Sequence, residues 1–234
     1  MTHFAPGRSH PIETGGCFDA AIFDMDGLLI DSEPLWQDAE IAVYQPFDVP
    51  VTRDLCRATA GRRIDEVLTL WHQRFGWTGP PVAEMVERVL AEVTRLILDR
   101  GQALPGVHET LRGLHRAGLK LAIASSSPPQ LIEAVVGKLD IGAYLELTHS
   151  GIFEERGKPD PAVFLTTAKK LGAAPKRCLV FEDAPAGVAA GKAAGMTVIA
   201  VPSVFELDDP GINAADRVLN SLLDFRLDGF GSAP

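Results

Sequence analysis

The pentapeptide FDMDG, at residues 23–27, decides the fold of this chain. It follows the apolar run Ala20-Ala21-Ile22, so the carboxylates of Asp24 and Asp26 stand at the end of a short strand that is predicted to be buried. A buried charge is costly unless it has a partner, and charged residues are seldom found fully buried. We therefore interpret this strand end as the place where the chemistry of the protein is concentrated.

Beyond residue 101, short apolar strands alternate with helices. Strands are predicted at residues 119–124, 144–148, 178–181 and 196–201. The intervening helices end at Gly118, Gly172 and Gly195, and glycine is the usual residue where a helix closes in a left-handed conformation. This alternation indicates an α/β fold, namely a Rossmann-like doubly wound parallel sheet with helices on both faces.

A different pattern fills residues 32–101, where helical periodicity replaces the strands. A helix can be capped by Asp31 or Ser32, and a long amphipathic helix repeats apolar residues at intervals of three and four over residues 82–97. We predict that residues 32–101 form an all-α helical cap inserted in a core made of residues 17–31 and 102–234. Residues 1–16 are predicted to be a loose tail.

Polar residues follow the ends of the predicted strands. In an open α/β sheet, ligands bind beyond the carboxyl ends of the strands. We therefore expect one edge of the sheet to collect the following candidates: Asp24, Asp26, Ser125, Ser126, Glu182 and Asp183, with Lys158 from the loop before Asp160.

These residue types suit phosphate chemistry. Asp24, Asp183 and a phosphate dianion repel one another unless cations compensate. Carboxylate oxygens suit Mg²⁺, for which we expect Asp24, Asp183 and the backbone carbonyl of Asp26 as ligands, with Glu182 as a further candidate. Lys158 can offset the remaining charge on phosphate oxygens. Ser125 and the neighbouring backbone N–H groups at a helix start can form a phosphate cradle.

The two aspartates then take different roles. Asp24 can attack phosphorus in line to give an aspartyl phosphate. Asp26 would protonate the leaving alkoxide and afterwards deprotonate the water that hydrolyses the intermediate, so it must hold a proton in the first step. Two competing motifs fail on spacing: an EF-hand loop from Asp24 needs glycine where Leu29 stands, and a P-loop ending at Lys158 needs serine or threonine where Pro159 stands.

Composition excludes several other classes. The 234 residues carry a net charge of −9 without a basic run, which argues against a nucleic-acid partner. The three cysteines fit no metal spacing and favour a reducing compartment. No stretch has the length of a membrane span and the N-terminus has no apolar signal core, so we expect a cytoplasmic protein. Its expected partner is a small phosphorylated metabolite, and a monomer is the default expectation.

As a set, these motifs resemble the haloacid dehalogenase (HAD) superfamily of phosphohydrolases, in the subfamily with a helical cap after the first strand. The resemblance covers residues 20–223 and is carried by residues 24–34, Ser125, Lys158 and residues 182–187. Within the superfamily the chain is most similar to the 2-deoxyglucose-6-phosphatase, or hexitol phosphatase, group. The resemblance implies Mg²⁺-dependent hydrolysis of small sugar or sugar-alcohol phosphates.

The resemblance also leaves alternatives. Gly61 and Arg63 match the substrate-facing cap loop of the family, although Arg62 and Arg63 could equally be a solvated helix start. β-Phosphoglucomutases carry a histidine where this chain has Trp36, together with a cap lysine, and this chain has no lysine before Lys120. A phosphosugar mutase therefore ranks second. A phosphoglycolate-type phosphatase and a non-enzymatic sugar-phosphate sensor are further alternatives.

Overall fold

The computed structural model describes residues 18–203 and 205–227. The predicted tail, Cys17 and residues 228–234 of the predicted core lie outside the described residues. Six strands form one sheet in the order β3-β2-β1-β4-β5-β6, and every neighbouring pair is parallel. Their bounds are β1 Ala20–Phe23, β2 Lys120–Ser125, β3 Leu147–Ser150, β4 Cys178–Glu182, β5 Thr197–Ala200 and β6 Arg217–Val218.

Eight α-helices accompany these strands within the described residues. They are α1 Glu33–Tyr44, α2 Arg53–Arg57, α3 Ile64–Phe75, α4 Val82–Arg100, α5 Val107–Arg116, α6 Pro129–Leu139, α7 Ala162–Leu171 and α8 Pro185–Ala193. From β2 onwards, helices and strands alternate along the chain up to β5. The predicted α/β fold with a parallel sheet is thereby confirmed.

The central strand β1 explains why the sheet has two apolar faces. Successive side chains of a strand point to opposite faces. Accordingly Ala21 and Phe23 pack in one buried cluster with residues of α5 and α6, whereas Ala20 and Ile22 pack in another with residues of α7 and α8. The ring of Phe23 stacks on that of Phe181 in β4, with centroids 4.6 Å apart. A strand that is buried on both faces reads as a continuous apolar run, which is what the sequence shows.

Helices α1 to α4 follow β1 and precede β2 along the chain, and they carry a third apolar cluster. Tyr44, Trp71 and Trp77 form its aromatic centre, with edge-on ring contacts at 5.6 Å and 5.2 Å. Trp71 and Trp77 are thus interior residues of this cluster. Leu35 of α1 and Ile97 of α4 belong instead to the core beside the sheet, so the two helices bridge both clusters. The division of the chain at residues 32 and 101 stays a prediction.

Some elements differ from the sequence-based expectations. The strand expected at residues 144–148 begins later, at Leu147, because Gly142–Tyr144 form a 3₁₀ turn. Helix α2 and the two-residue strand β6 have too few residues to show a periodicity, and neither was expected. Within the described residues, no helix combines the length and the apolarity that a membrane crossing requires.

Candidate active site

The loop after β1 is a tight turn that holds both aspartates. The carbonyl of Met25 accepts hydrogen bonds from the backbone N–H groups of the three residues 28–30, at 3.3, 2.9 and 3.2 Å. Gly27 has φ +76°, and a Cβ built there would lie 2.2 Å from Oδ2 of Asp183. Glycine is therefore required twice over, by the backbone conformation and by the close approach of Asp183.

Lys158 is buried between two carboxylates. Its Nζ donates hydrogen bonds of 2.5 Å to Oδ1 of Asp24 and of 2.5 Å to Oε1 of Glu182. Asp183 is buried in the same cluster and accepts a hydrogen bond of 3.3 Å from the hydroxyl of Ser203. Three carboxylates thus face one ammonium group, which leaves an excess of negative charge in a buried place.

Glu182 is oriented by the backbone that follows it. Its Oε2 accepts hydrogen bonds from the N–H groups of Asp183 and Ala184, at 3.1 and 3.4 Å, just before α8 begins. A Cβ at Gly187 would lie only 1.9 Å from the carboxyl carbon of Glu182, so the first turn of α8 admits this side chain only because residue 187 is glycine. Lys158 and the backbone together fix both oxygens of Glu182.

The excess charge defines a candidate cation site. Carboxylate oxygens of Asp24, Glu182 and Asp183 lie within 4.8 Å of one another. Burial raises the pKa of Asp24 to about 7, against the attraction of Lys158 and with a further contribution from Glu182. Burial and the two neighbouring carboxylates raise the pKa of Asp183 well above its usual range. Burial disfavours the charged form of Lys158, yet Asp24 and Glu182 outweigh it and raise the lysine pKa.

Asp26 is held by three side-chain donors. The hydroxyl of Ser32 donates a hydrogen bond of 2.7 Å to Oδ1, and the indole N–H of Trp36 donates one of 2.9 Å to the same oxygen. The hydroxyl of Ser127 donates one of 2.7 Å to Oδ2. Ser32 stands at the N-cap position of α1, as one of the two expected residues, but its side chain makes no capping hydrogen bond. Its side chain serves Asp26 instead.

The serines after β2 have separate partners. Ser125 is buried, and its Oγ accepts a hydrogen bond of 3.1 Å from the N–H of Ser127. The hydroxyl of Ser126 donates a hydrogen bond of 3.0 Å to the carbonyl of Gly61, which joins the loop before α3 to the loop after β2. Both serines and Gly61 line one cavity together with Asp24 and Asp26. The structure thus brings together five of the predicted site residues at this cavity.

Arg63 is placed differently from the expectation. Its guanidinium makes hydrogen bonds of 3.1 and 2.7 Å to the carboxylate of Asp65 and one of 3.2 Å to the carbonyl of Glu154, and it is not among the residues that line the cavity. The neighbouring Arg62 does line the cavity and is exposed. Gly61, at φ +80°, lies immediately before the two arginines, and of the two only Arg62 lines the cavity.

Helix α1 supplies a wall that sequence reasoning missed. Four residues of this helix line the cavity: Glu33, Trp36, Gln37 and Glu40. All of them except Trp36 are buried. Burial, with the nearby carboxylates of Asp26 and Glu40, raises the pKa of Glu33 to about 8. Burial raises the pKa of Glu40 to about 7. The signal in the sequence was polar residues spaced by four and three on a single helix, a spacing that usually marks an apolar face.

The following similarities place the chain among known proteins. A family model described as haloacid dehalogenase-like hydrolase matches residues 18–195. The chain is 41% identical over 206 residues to hexitol phosphatase B of Escherichia coli K12, covering 88% of this chain and 93% of that protein. It is 33% identical over 178 residues to a phosphorylated carbohydrates phosphatase of Thermotoga maritima, covering 76% and 82%.

A solved structure shares the fold. The β-phosphoglucomutase of Clostridium difficile superposes with a TM-score of 0.79 at 22% identity, covering 91% of this chain and 95% of that one. The parallel sheet, the carboxylates at its edge and the family match over most of the chain agree with one another. The resemblance drawn from the motifs is confirmed: the chain belongs to the haloacid dehalogenase-like hydrolase family.

Proposed function

We propose that the protein is a Mg²⁺-dependent phosphomonoesterase that hydrolyses small sugar or sugar-alcohol phosphates through an aspartyl phosphate on Asp24. The observation that carries this proposal is the position of Asp24, which lines the cavity and also contacts Lys158 in the buried acidic cluster. The names of the curated relatives, which are phosphatases of hexitols and of phosphorylated carbohydrates, point to the same substrate class.

The donor set fits Mg²⁺. Asp24 and Asp183 would hold the ion with the backbone carbonyl of Asp26, and Glu182 would contribute less directly because both of its oxygens accept hydrogen bonds. Hard oxygen ligands and an excess of negative charge are what this cation requires. When bound, Mg²⁺ would neutralise charge on the phosphoryl group and let it approach a carboxylate nucleophile.

The remaining steps use side chains of this chain. Lys158 would hold a phosphate oxygen, and Ser125 would hold another at the start of the loop before α6. An oxygen of Asp24 attacks phosphorus as the ester bond breaks, and the leaving alkoxide takes a proton from Asp26. Asp26 then removes a proton from the water that hydrolyses the acyl phosphate, which restores Asp24.

The hydrogen bonds of Asp26 support an assignment of the proton to one oxygen. An indole N–H can only donate, so one lone pair of Oδ1 is kept for Trp36, and the hydroxyl of Ser32 donates to the other. The hydroxyl of Ser127, in contrast, can rotate and accept a hydrogen bond from Oδ2. We assign the transferred proton to Oδ2 of Asp26.

The surroundings favour a small substrate. The hydrogen bond from Ser126 to the carbonyl of Gly61 and that from Arg63 to the carbonyl of Glu154 close the loop before α3 onto the sheet edge. Such closure excludes water during the first step. We also propose, from the names of the curated relatives, that the partner is a small phosphorylated metabolite. We further propose that the chain acts as a cytoplasmic monomer and that neither nucleic acid nor membrane takes part.

A phosphate-release screen tests the function. Hexose, hexitol, pentose and glycolate phosphates are incubated with the protein with and without Mg²⁺, and the Asp24→Asn variant serves as the control. We expect Mg²⁺-dependent release from the hexose or hexitol esters and none from the variant. Full turnover by Asp24→Asn would contradict the proposal. So would conversion of β-glucose 1-phosphate to glucose 6-phosphate faster than phosphate release, or ligand binding without turnover of any ester.

A further inference from the structure

One face of α1 is polar where a buried helix face is usually apolar. Glu33, Gln37 and Glu40 follow one another at intervals of four and three, which places them on the same side of the helix. All three are buried, and all three line the cavity that Asp24 and Asp26 line. Burying polar side chains costs free energy unless a partner satisfies them, so a partner is expected inside the cavity.

Glu33 shows the need for a partner most clearly. The residue is only 7% exposed. Across residues 18–203 and 205–227, its carboxyl group has neither a hydrogen-bond donor nor an ion-pair partner. A carboxylate that is buried without a partner is expensive. Because Glu33 lines the cavity, the missing donors must come from whatever the cavity contains.

The other two residues are partly satisfied and keep one polar edge available. Oε1 of Gln37 accepts a hydrogen bond of 3.0 Å from Nη1 of Arg53, which fixes the amide with its NH₂ group on the other side. The carboxyl group of Glu40 has the thiol of Cys56 as a neighbour, and a carboxylate can accept several hydrogen bonds. The face thus offers acceptors at both ends and donors in the middle.

We propose that Glu33, Gln37 and Glu40 form the subsite that recognises the hydroxyl groups of the substrate alcohol, and that this subsite excludes alcohols carrying a second phosphate or a carboxylate. The inference rests on the phosphomonoesterase function proposed above and narrows its substrate class to uncharged polyol monophosphates. Hydroxyl groups both donate to carboxylates and accept from an amide, so they match this face. A second anionic group would find no buried cation in the cavity lining, since Arg53, the partner of Gln37, lies outside the lining and is paired with Asp38.

The charges of the whole cavity lining agree with this selectivity. Asp24, Asp26, Glu33 and Glu40 line it, and among the described residues Arg62 is its one cationic side chain. Arg62 is exposed, and therefore its charge is screened by solvent more strongly than the charges of the buried carboxylates. A site with buried hydrogen-bonding groups also discriminates strongly against a substrate that lacks the hydroxyls, because those groups are then left unpaired.

The test compares three substrates: sorbitol 6-phosphate, phenyl phosphate, which has no hydroxyl group, and a hexitol bisphosphate. For the wild type we expect sorbitol 6-phosphate to have the highest kcat/KM of the three. In the Glu33→Leu variant the ratio of kcat/KM for sorbitol 6-phosphate to that for phenyl phosphate should fall about 10- to 100-fold. The Glu33→Gln variant still makes hydrogen bonds, so it should keep most of this ratio.

The matched control is Glu87→Leu, because Glu87 is an exposed carboxylate on α4 outside the cavity lining. It should leave the ratio of kcat/KM for sorbitol 6-phosphate to that for phenyl phosphate unchanged. An unchanged ratio in Glu33→Leu, or a wild type that prefers the bisphosphate, would overturn the inference. Failure of the function itself is a separate result, with no ester hydrolysed. In that case the subsite is tested by calorimetric binding of sorbitol 6-phosphate. The Kd should increase about tenfold in Glu33→Leu, and an unchanged Kd would overturn the proposed subsite.

Discussion

The indole N–H of Trp36 donates a hydrogen bond of 2.9 Å to Oδ1 of Asp26. Trp36 lies three residues after the start of α1, and Asp26 lies in the turn after β1, so this contact ties the first helix to the loop that carries both aspartates. The indole fixes the rotation of the carboxyl group of Asp26, and Oδ1 of this group serves as the hydrogen-bond acceptor. Trp36 and Asp26 are 10 residues apart in the sequence, and the side chain of Trp36 also lines the cavity.

Replacing Trp36 with phenylalanine should lower kcat by about tenfold and leave KM within about threefold, because removal of a single orienting donor acts on the transition state more than on binding. Steady-state kinetics with a hexitol phosphate measures both constants. The matched control is Trp71→Phe. The indole nitrogen of Trp71 is buried without a hydrogen-bond partner in the part of the chain that the structure describes, so its loss should not affect kcat. Equal losses in the two variants would contradict the orienting role.

Mg²⁺ should raise the thermal stability of the wild type. A cation at Asp24, Glu182 and Asp183 relieves the repulsion of three buried carboxylates, and binding to the folded state alone stabilises it by about 2.7 kcal/mol at one hundred times Kd. That corresponds to a rise of roughly 5–10 °C in Tm for a chain of this size. Asp183→Asn should lose most of the Mg²⁺-induced rise, as scanning fluorimetry at pH 7.5 would show. The exposed Asp208 provides the control, and Asp208→Asn should respond like the wild type.

Stability should fall as pH rises, and Glu40 should account for part of the fall. Burial raises its pKa from the ordinary 4.5 to about 7, so the folded protein holds the proton more tightly than the unfolded chain does. The stabilisation is complete below about pH 4.5 and is lost as pH rises through 7, by about 3 kcal/mol at pH 8. Urea unfolding at pH 5 and pH 8 should show a smaller difference for Glu40→Gln than for the wild type. If the stability difference between pH 5 and pH 8 is the same in Glu40→Gln as in the wild type, Glu40 does not contribute to the pH dependence.

Replacement by alanine should have opposite effects on stability at two helical glycines. Gly187→Ala places a Cβ against the carboxylate of Glu182 and should both destabilise the fold and weaken the response to Mg²⁺. Gly137 in α6 has no heavy atom within 4 Å of its built Cβ, so Gly137→Ala should stabilise by about 0.5–1 kcal/mol through helix propensity alone. Chemical unfolding and Tm with and without Mg²⁺ measure both effects. A neutral Gly187→Ala would mean that Glu182 does not need its observed position.

The part of the site that follows strand ends was predictable from the sequence. Asp24 directly follows β1 and Glu182 ends β4, which is the parallel neighbour of β1. The neighbours of parallel strands are set by right-handed crossovers, so the meeting of the two residues follows from the order of the elements. Lys158 was predicted for a different reason, as the only lysine between Lys138 and Lys169 and in a loop expected at the same edge of the sheet. Their roles in catalysis remain predictions, since none of the similarities assigns a function to a particular residue.

The partners of Asp26 were not predictable in the same way. Ser32 reads as a helix cap, and Ser127 reads as one of three serines at a helix start. Their actual hydrogen bonds depend on how α1 and the loop after β2 pack, and that packing is decided by the whole apolar core. The different places of Arg62 and Arg63 were not predictable either, since the sequence names both at the same loop and only Arg62 lines the cavity.

The seam between the loop before α3 and the sheet edge is made with main-chain acceptors. Ser126 bonds to the carbonyl of Gly61, and Arg63 bonds to the carbonyl of Glu154. Carbonyl oxygens persist whatever side chain a position carries, whereas recognition of the alcohol is assigned to side chains of α1. The proposed closure and the proposed selectivity therefore rest on different atoms, and libraries at positions 33, 37 and 40 should change which alcohol is accepted while these two hydrogen bonds stay intact.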